Sequence, residues 1–577
     1  MIWRYKSSND RAALSLASAL EISLPLARLL DARGLADPAA ARRFLSPHPD
    51  QLRNPYLLKD MDRAVARMGK ALAGKERVFV FGDYDVDGLT SIAQVVAFFE
   101  AAGLTYRVGQ PHRLREGYGL NREGVERALE FGAGLLLTLD CGTEAAAEIE
   151  YAQSRGLDVI VIDHHRPTGP LPDAFAVLNP SREDCTYPFQ GLAAAGVVFK
   201  FLHAGKDEWK VKLDWGRLYQ LAALGTVADV TPLVDENRVL AAVGLHFLAR
   251  RPHPALRALL DAAGVEPGPV TVRNLAFQIA PRLNAAGRMG KVELACRLLT
   301  SSDGAEIAGL AYELDRINRE RRAEQAAIFR EAEAMIEADR NLHLGMGIVV
   351  AGPGWNKGIV GIVASKIQEK YYRPTVVIGL EGEEGSGSAR SIPGFNLFAA
   401  ISSCREHLIG FGGHRAAAGL RIESSRIGDF RRAFQAAAGE ALGGKEPVPE
   451  LEVDAVLEPA EIGLELLEEL ARLEPCGEGN PRPVFSAAVA GLPAPPRVMG
   501  KASNHLKFGL PGSPEEWECL GWGMAARAAE AAAGPLDLAF QLKADDFRGR
   551  RRVQLILKDF RPLIPGPHGG PEVEEVG

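Results

Sequence analysis

The fold is decided by Val78-Phe79-Val80-Phe81-Gly82-Asp83-Tyr84-Asp85-Val86-Asp87-Gly88, an apolar run that breaks into three alternating aspartates and a glycine. A Val- and Phe-rich run followed at once by the helical pattern Leu89 to Glu100 reads as a buried parallel strand feeding a helix. The acidic loop then lies at the carboxyl end of the strand, where open α/β sheets bind ligands. Carboxylates this close repel one another, so a fold that gathers them must supply cations or protonate some of them. Divalent metal is the simplest answer. The segment also matches the opening of an EF-hand loop, which needs a bidentate Glu at its twelfth position and a helix in front. Gln94 stands at that position and a strand comes before, which argues against calcium.

Two later segments repeat the pattern. Leu135-Leu136-Leu137-Thr138-Leu139 runs into Asp140-Cys141-Gly142, and Asp158-Val159-Ile160-Val161-Ile162 runs into Asp163-His164-His165. Taken singly, each is a solvated acidic turn or a structural His pair. Parallel strands joined by right-handed crossovers place their carboxyl ends on one edge, so these groups can converge although they are far apart in sequence. Between the first two lies Pro111 to Gly119, a Gly-containing loop in which Arg113 and Tyr118 suit a phosphate and a stacked base, or equally a solvated loop. Asp229 follows the apolar helix Leu218 to Val227 and precedes Pro232, which in isolation makes it a helix-end residue.

A chain of 577 residues is too long for one core and suggests three or four domains. Its net charge of −7 gives no global attraction to nucleic acid or anionic membrane, so a polyanion must meet a local basic groove. Six scattered cysteines without C-x-x-C spacing argue for reduced thiols and against a zinc ribbon or disulfide framework. With no signal-peptide core at the start and no bilayer-length apolar stretch, the expectation is a cytoplasmic protein with no membrane partner.

The other regions read more weakly. Residues 1–70 suggest a helical extension, and 71–304 the catalytic α/β domain. Residues 305–340 form a charged helical connector, 341–443 a second α/β domain, 449–562 a barrel of short strands, and 563–577 a disordered tail. The Gly/Ser-rich Gly385 to Arg390 reads as a loop able to turn backbone N–H groups towards an anion, with Ser388, Arg390 and His414 as holders of a phosphate. In the barrel, Trp517, Trp522 and Phe547 could stack on bases beside the basic turn Arg548 to Arg552.

The first-motif aspartates Asp83, Asp85 and Asp87, with Asp140-Cys141-Gly142, Asp163-His164-His165 and Asp229, resemble in order and spacing the four motifs of the DHH phosphoesterase superfamily. Pro281 to Arg288, Gly361 to Lys366, Gly387 to Ser391 and Gly412 to His414 are similar, more narrowly, to signatures of its bacterial single-strand-specific DNA exonucleases. The resemblance implies an α/β protein: a parallel-sheet DHH domain and a DHH-associated domain joined by a long helical connector, plus a C-terminal OB-like barrel. It implies two divalent cations, Mn²⁺ or Mg²⁺, one on Asp85 and Asp140 and the other on Asp87, Asp140, His164 and Asp229, with Asp140 bridging. Asp83 or water is expected to complete the first site, because Phe81 stands where many members carry a metal-binding His four residues before the second aspartate. His165 would stabilise or protonate the reacting oxygens. Arg282, Asn284, Arg288, Ser388, Arg390 and His414 would hold the terminal phosphate of single-stranded DNA, which is degraded 5′ to 3′ in repair and recombination. A monomer served by a single-strand-binding protein or a helicase is the implied setting. Two rivals remain: a phosphodiesterase for cyclic dinucleotides or very short oligonucleotides, disfavoured by the barrel, and a non-catalytic replication scaffold, disfavoured by the intact ligand set.

Overall fold

The chain begins with a strand, β1 (Ile2–Tyr5), where the sequence suggests helices alone. The computed structural model describes residues 1–112, 116–266, 268–510, 517–547 and 550–563, so Arg113 lies outside the described residues, as does the tail. Two units result: Arg53–Thr231 with Val243–Val448, and Met1–Leu52 with Pro232–Ala242 and the chain from Pro449 onward.

In the larger unit, β2 (Val78–Gly82), β3 (Tyr106–Gly109), β4 (Leu135–Leu139), β5 (Asp158–Ile162) and β6 (Ala176–Leu178) form a parallel sheet of order β3-β2-β4-β5-β6. Every residue of β2 and β4 is buried, as a parallel sheet covered on both faces requires. Phe79 and Phe81 point to the face that packs Val125, Ala128 and Ile149. The helix Val86–Ala102 lies against β2 and β4 and is itself covered by helices Ala194–Trp209 and Trp215–Ala228, which is why it is apolar nearly all round. The register fixes the site: Gly82 faces Leu139, Leu139 faces Ile162 and Ile162 faces Leu178. Asp83, Asp140, Asp163 and Asn179 therefore form one row, each the first residue beyond the paired strands. Neighbours in such a row are about 4.8 Å apart.

A single helix, Gly304–Ala338, capped by Asp303, connects this sheet to a second one. There β7 (Ile348–Pro353), β8 (Thr375–Glu381), β9 (Glu384–Arg390), β10 (Gly410–Gly413) and β11 (Ala417–Glu423) take the order β10-β11-β9-β8-β7. Gly385 to Arg390 is thus a paired strand rather than a loop, and its amides are committed to β8 and β11. Its alternating Gly and Ser hide the period that marks a strand.

In the other unit β12 (Glu450–Val453) pairs in parallel with β1. Strands β13 (Ala455–Val456), β14 (Phe485–Val489), β15 (Arg497–Met499), β16 (His505–Gly509), β17 (Glu518–Gly521), β18 (Leu536–Phe547) and β19 (Arg550–Pro562) follow, in the order β13-β14-β18-β19-β17-β16-β15. Trp517 is part of their core and unavailable for stacking, whereas Trp522 is exposed with its ring against His505. The Phe547 side chain and Arg548 are outside the described residues.

Gly225 shows how tightly the helices are packed behind the acidic row. An added Cβ would lie 2.4 Å from Thr90 Oγ1, 2.6 Å from the Ala195 Cβ and 2.7 Å from Asp87 Oδ1. Gly225→Ala is expected to cost roughly 1–3 kcal/mol of stability and to displace Asp87. Thermal unfolding combined with Mn²⁺ titration checks both effects.

Candidate metal centre and phosphate cradle

The acidic row is built by backbone donors. Asp85 caps the helix Val86–Ala102, its carboxylate accepting from the amides of Asp87 and Gly88 at 3.0 and 3.1 Å. Asp87 accepts from the amides of Ala194 and Ala195, at 2.7 and 2.8 Å, at the start of the next helix. Asp163 accepts from the amides of Thr143, His164 and His165 and from His165 Nδ1, the last at 2.7 Å. Asn179 closes the row by donating to the His165 carbonyl and to Thr143 Oγ1.

Asp140 differs. It is buried, adopts a left-handed conformation (φ 60°), and its Oδ1 has no hydrogen-bond partner. His164 Nε2 is equally buried and unpartnered, and lies 3.4 Å from Asp140 Oδ1, 3.6 Å from Asp229 Oδ2 and 3.8 Å from Asp87 Oδ2. Lone pairs facing lone pairs in a buried site call for a cation. Three sets of ligand atoms are close enough to hold one: Asp83, Asp85 and Asp140; Asp87, His164 and Asp229; and Asp140, His164 and His165. Carboxylates with one or two imidazoles suit Mn²⁺ or Mg²⁺. Phe81 takes no part, since its ring faces the helix carrying Gly124 and Arg127.

The electrostatics match. Burial, then the Asp85, Asp87, Asp83 and Asp163 charges, raises the Asp140 carboxyl well above the carboxylate range. Burial and the Asp229 and Asp85 charges do the same to Asp87. Burial and Asp85 push Asp229 to about 7. His164 falls to about 4 through burial and the neighbouring His165 charge. Burial would also lower His165, but its bond to Asp163 and that charge outweigh it and raise it to about 9. Asp163 is in turn held well below the carboxylate range; burial opposes this, and the His165 bond prevails.

Tyr118 takes a different place from the one its loop suggests. Its hydroxyl donates to the Asp140 carbonyl at 2.9 Å and touches His165 Nδ1 at 3.0 Å, while the ring stays half exposed. Arg282 is committed elsewhere: its guanidinium is buried, paired with Asp315 at 2.8 Å and bonded to the carbonyls of Gln278 and Ala262. The same helix, Ala280–Arg288, reaches the metal loop through Gly287, whose added Cβ would lie 3.4 Å from the Tyr84 carbonyl. Arg288 Nη1 donates to the Gly358 carbonyl at 3.0 Å. Across the first turn of the helix Val360–Tyr371, a Cβ on Gly361 would lie 3.2 Å from Arg390 Nη2 and 3.3 Å from Ser388 Oγ. Arg288, Ser388 and Arg390 thus surround a helix N-terminus, an anion-binding arrangement. His414 is exposed in the turn between β10 and β11, near Ala417, the partner of Arg390. Asn284 makes no side-chain hydrogen bond among the described residues.

The chain matches known proteins along most of its length. Residues 77–226 match the DHH family N-terminal domain, 345–440 the DHHA1 domain and 453–559 the RecJ OB domain. The single-stranded-DNA-specific exonuclease RecJ of Dickeya dadantii is 34% identical over 94% of this chain and 97% of its own length. The chain belongs to the RecJ family. The RecJ exonuclease of Bacillus subtilis is 36% identical over 97% of this chain and 70% of its own. The crystal structure of Thermus thermophilus RecJ in complex with Mn²⁺ superposes with a TM-score of 0.83 at 31% identity, covering 98% of this chain and 80% of that one. A second RecJ structure from the same organism holds Mg²⁺.

Asp229 gives this RecJ-family centre a pH signature. Its folded pKa near 7 exceeds the roughly 3.9 of an unfolded Asp, so the fold binds the extra proton between those values. Its contribution is present below about pH 4 and lost as pH rises to 7. Chelator-treated protein should therefore lose roughly 2–4 kcal/mol relative to Asp229→Asn over that range, as denaturant unfolding at pH 4.5 and 7.5 would measure.

Proposed function

We propose that the chain is a metal-dependent exonuclease that degrades single-stranded DNA to mononucleotides, 5′ to 3′. The observation that carries this is the pair of buried, unpartnered atoms Asp140 Oδ1 and His164 Nε2 inside a ring of carboxylates. Asp83, Asp85 and Asp140 would hold one divalent cation, and Asp87, Asp140, His164 and Asp229 the other. Bound there, Mn²⁺ or Mg²⁺ supplies Lewis-acid polarisation of the phosphodiester and a more acidic water.

The remaining roles belong to the chain's own groups. Asp163 fixes His165 through Nδ1 and makes the ring more basic, so that its Nε2 can carry a proton to the departing oxygen. Tyr118 steadies the same imidazole and the Asp140 backbone. Arg288, Ser388 and Arg390, with the amides opening the helix Val360–Tyr371, cradle a terminal phosphate, and Asn284 and His414 border it.

No single helix among the described residues is long and apolar enough to cross a membrane. The six cysteines are free thiols, which suits work in the reducing cytoplasm. A helicase or single-strand-binding protein that delivers opened strands to a monomeric enzyme is the class of partner such a substrate requires.

Strands labelled at either end, single or paired, test the reading. Mn²⁺ should release mononucleotides from the 5′ end of the single strand and spare the duplex. Chelator should abolish this, and Asp140→Ala should slow it by roughly 10²–10³-fold. Equal attack on duplex, or hydrolysis that survives chelation, would refute the assignment. Arg390→Ala should raise KM about tenfold for 5′-phosphorylated strands and far less for strands ending in a hydroxyl.

A further inference from the structure

Phe277 is 67% exposed, although it stands just ahead of the helix that reaches the metal loop. It sits on a π-helical turn, Leu275–Ile279, in which the Ala280 amide bonds back to the Leu275 carbonyl. The turn buries Leu275 and Ile279 and leaves Phe277 outside. Turns of this kind widen a helix locally and are frequent at functional sites. The exposed guanidinium of Arg273 lies 5.8 Å from the ring centroid. A flat ring beside a cation is the combination that stacks a nucleobase and steadies its phosphate.

The placement continues the site already described. Asn284 and Arg288 share a face of the helix Ala280–Arg288, and Phe277 stands on the π-helical turn that leads straight into it. Arg282 leaves on the other side to meet Asp315. The helical run that reaches the metal loop at Gly287 thus carries Asn284 and Arg288 at its near end and Phe277 with Arg273 at its far end. A protein-docking patch would need contiguous apolar surface. Along the chain Phe277 is flanked by the polar Asn274 and Gln278, bonded to each other, and its ring is met by Arg273, which favours a single planar guest.

We propose, on the exonuclease reading above, that Phe277 with Arg273 is a stacking platform for one base of the incoming strand, a few nucleotides from the bond being cut. It sets affinity for the strand without taking part in the chemistry. The test uses 5′-phosphorylated oligonucleotides in which one abasic site is moved a nucleotide at a time, with Mn²⁺, on the wild type, Phe277→Ala and Phe277→Trp. The wild type should lose roughly tenfold in kcat/KM at one abasic position. Phe277→Ala should show a KM about tenfold higher on the intact strand, kcat within about twofold, and no response to the abasic site; Phe277→Trp should behave as wild type. An unchanged KM in Phe277→Ala, or a loss that simply adds to that of the abasic site, overturns the platform and leaves the nuclease standing. Failure of the wild type to cleave any strand overturns both. If the alanine variant unfolds early, the tryptophan variant decides: loss of abasic sensitivity there rules the platform out.

Discussion

Like charges forced into one row are the constraint on which the rest depends. Because β2, β4, β5 and β6 end in register, their next residues stand side by side, and three of the four are aspartates. Strand spacing alone would make such a row self-repelling by several kcal/mol in a poorly solvated setting. Two of the carboxylates near it, Asp85 and Asp87, are met by the amides of helix starts, and Asp163 by three amides and an imidazole. The compensation stops at Asp140 and His164. What the protein leaves unsatisfied there defines where cations belong, and the surrounding packing, down to the missing Cβ of Gly225, holds the gap open.

The strands of this row were legible because fully buried parallel strands are continuous apolar runs, and the aspartates mark where each ends. Asn179 carried the same signal in Ala176-Val177-Leu178-Asn179, though a short edge strand and an uncharged end residue made it quiet. Asp229 could not be read from its own surroundings. It caps the helix Trp215–Ala228, and only the packing of that helix against Val86–Ala102 brings it to His164. Only the family resemblance singled it out.

The misreadings share a cause: partners distant in sequence. Arg282 resembles a phosphate ligand until the connector helix supplies Asp315. Residues Ile2–Tyr5 become a strand because Glu450–Val453 pairs with them. Gly385 to Arg390 becomes a strand because β8 and β11 claim its backbone, yet Ser388 and Arg390 still stand beside a helix start, that of Val360–Tyr371, where an anion can be met. In each case a partner that fixes the element lies far along the chain.

One further feature ties the metal centre to the path of the chain. Val230, next to Asp229, is exposed and left-handed (φ 59°), a conformation that a β-branched residue adopts only when its surroundings insist. On one side Asp229 caps its helix through the Gly225 carbonyl. On the other, within two residues, the chain enters the segment Pro232–Ala242, which belongs to the second unit. That segment is anchored there by the Leu233 amide on the Glu478 carbonyl and by Arg238, whose guanidinium donates to the carbonyls of Phe44, Arg472, Leu473, Glu474 and Pro475. The left-handed Val230 thus stands where the chain passes from one unit to the other, next to a carboxylate of the acidic site.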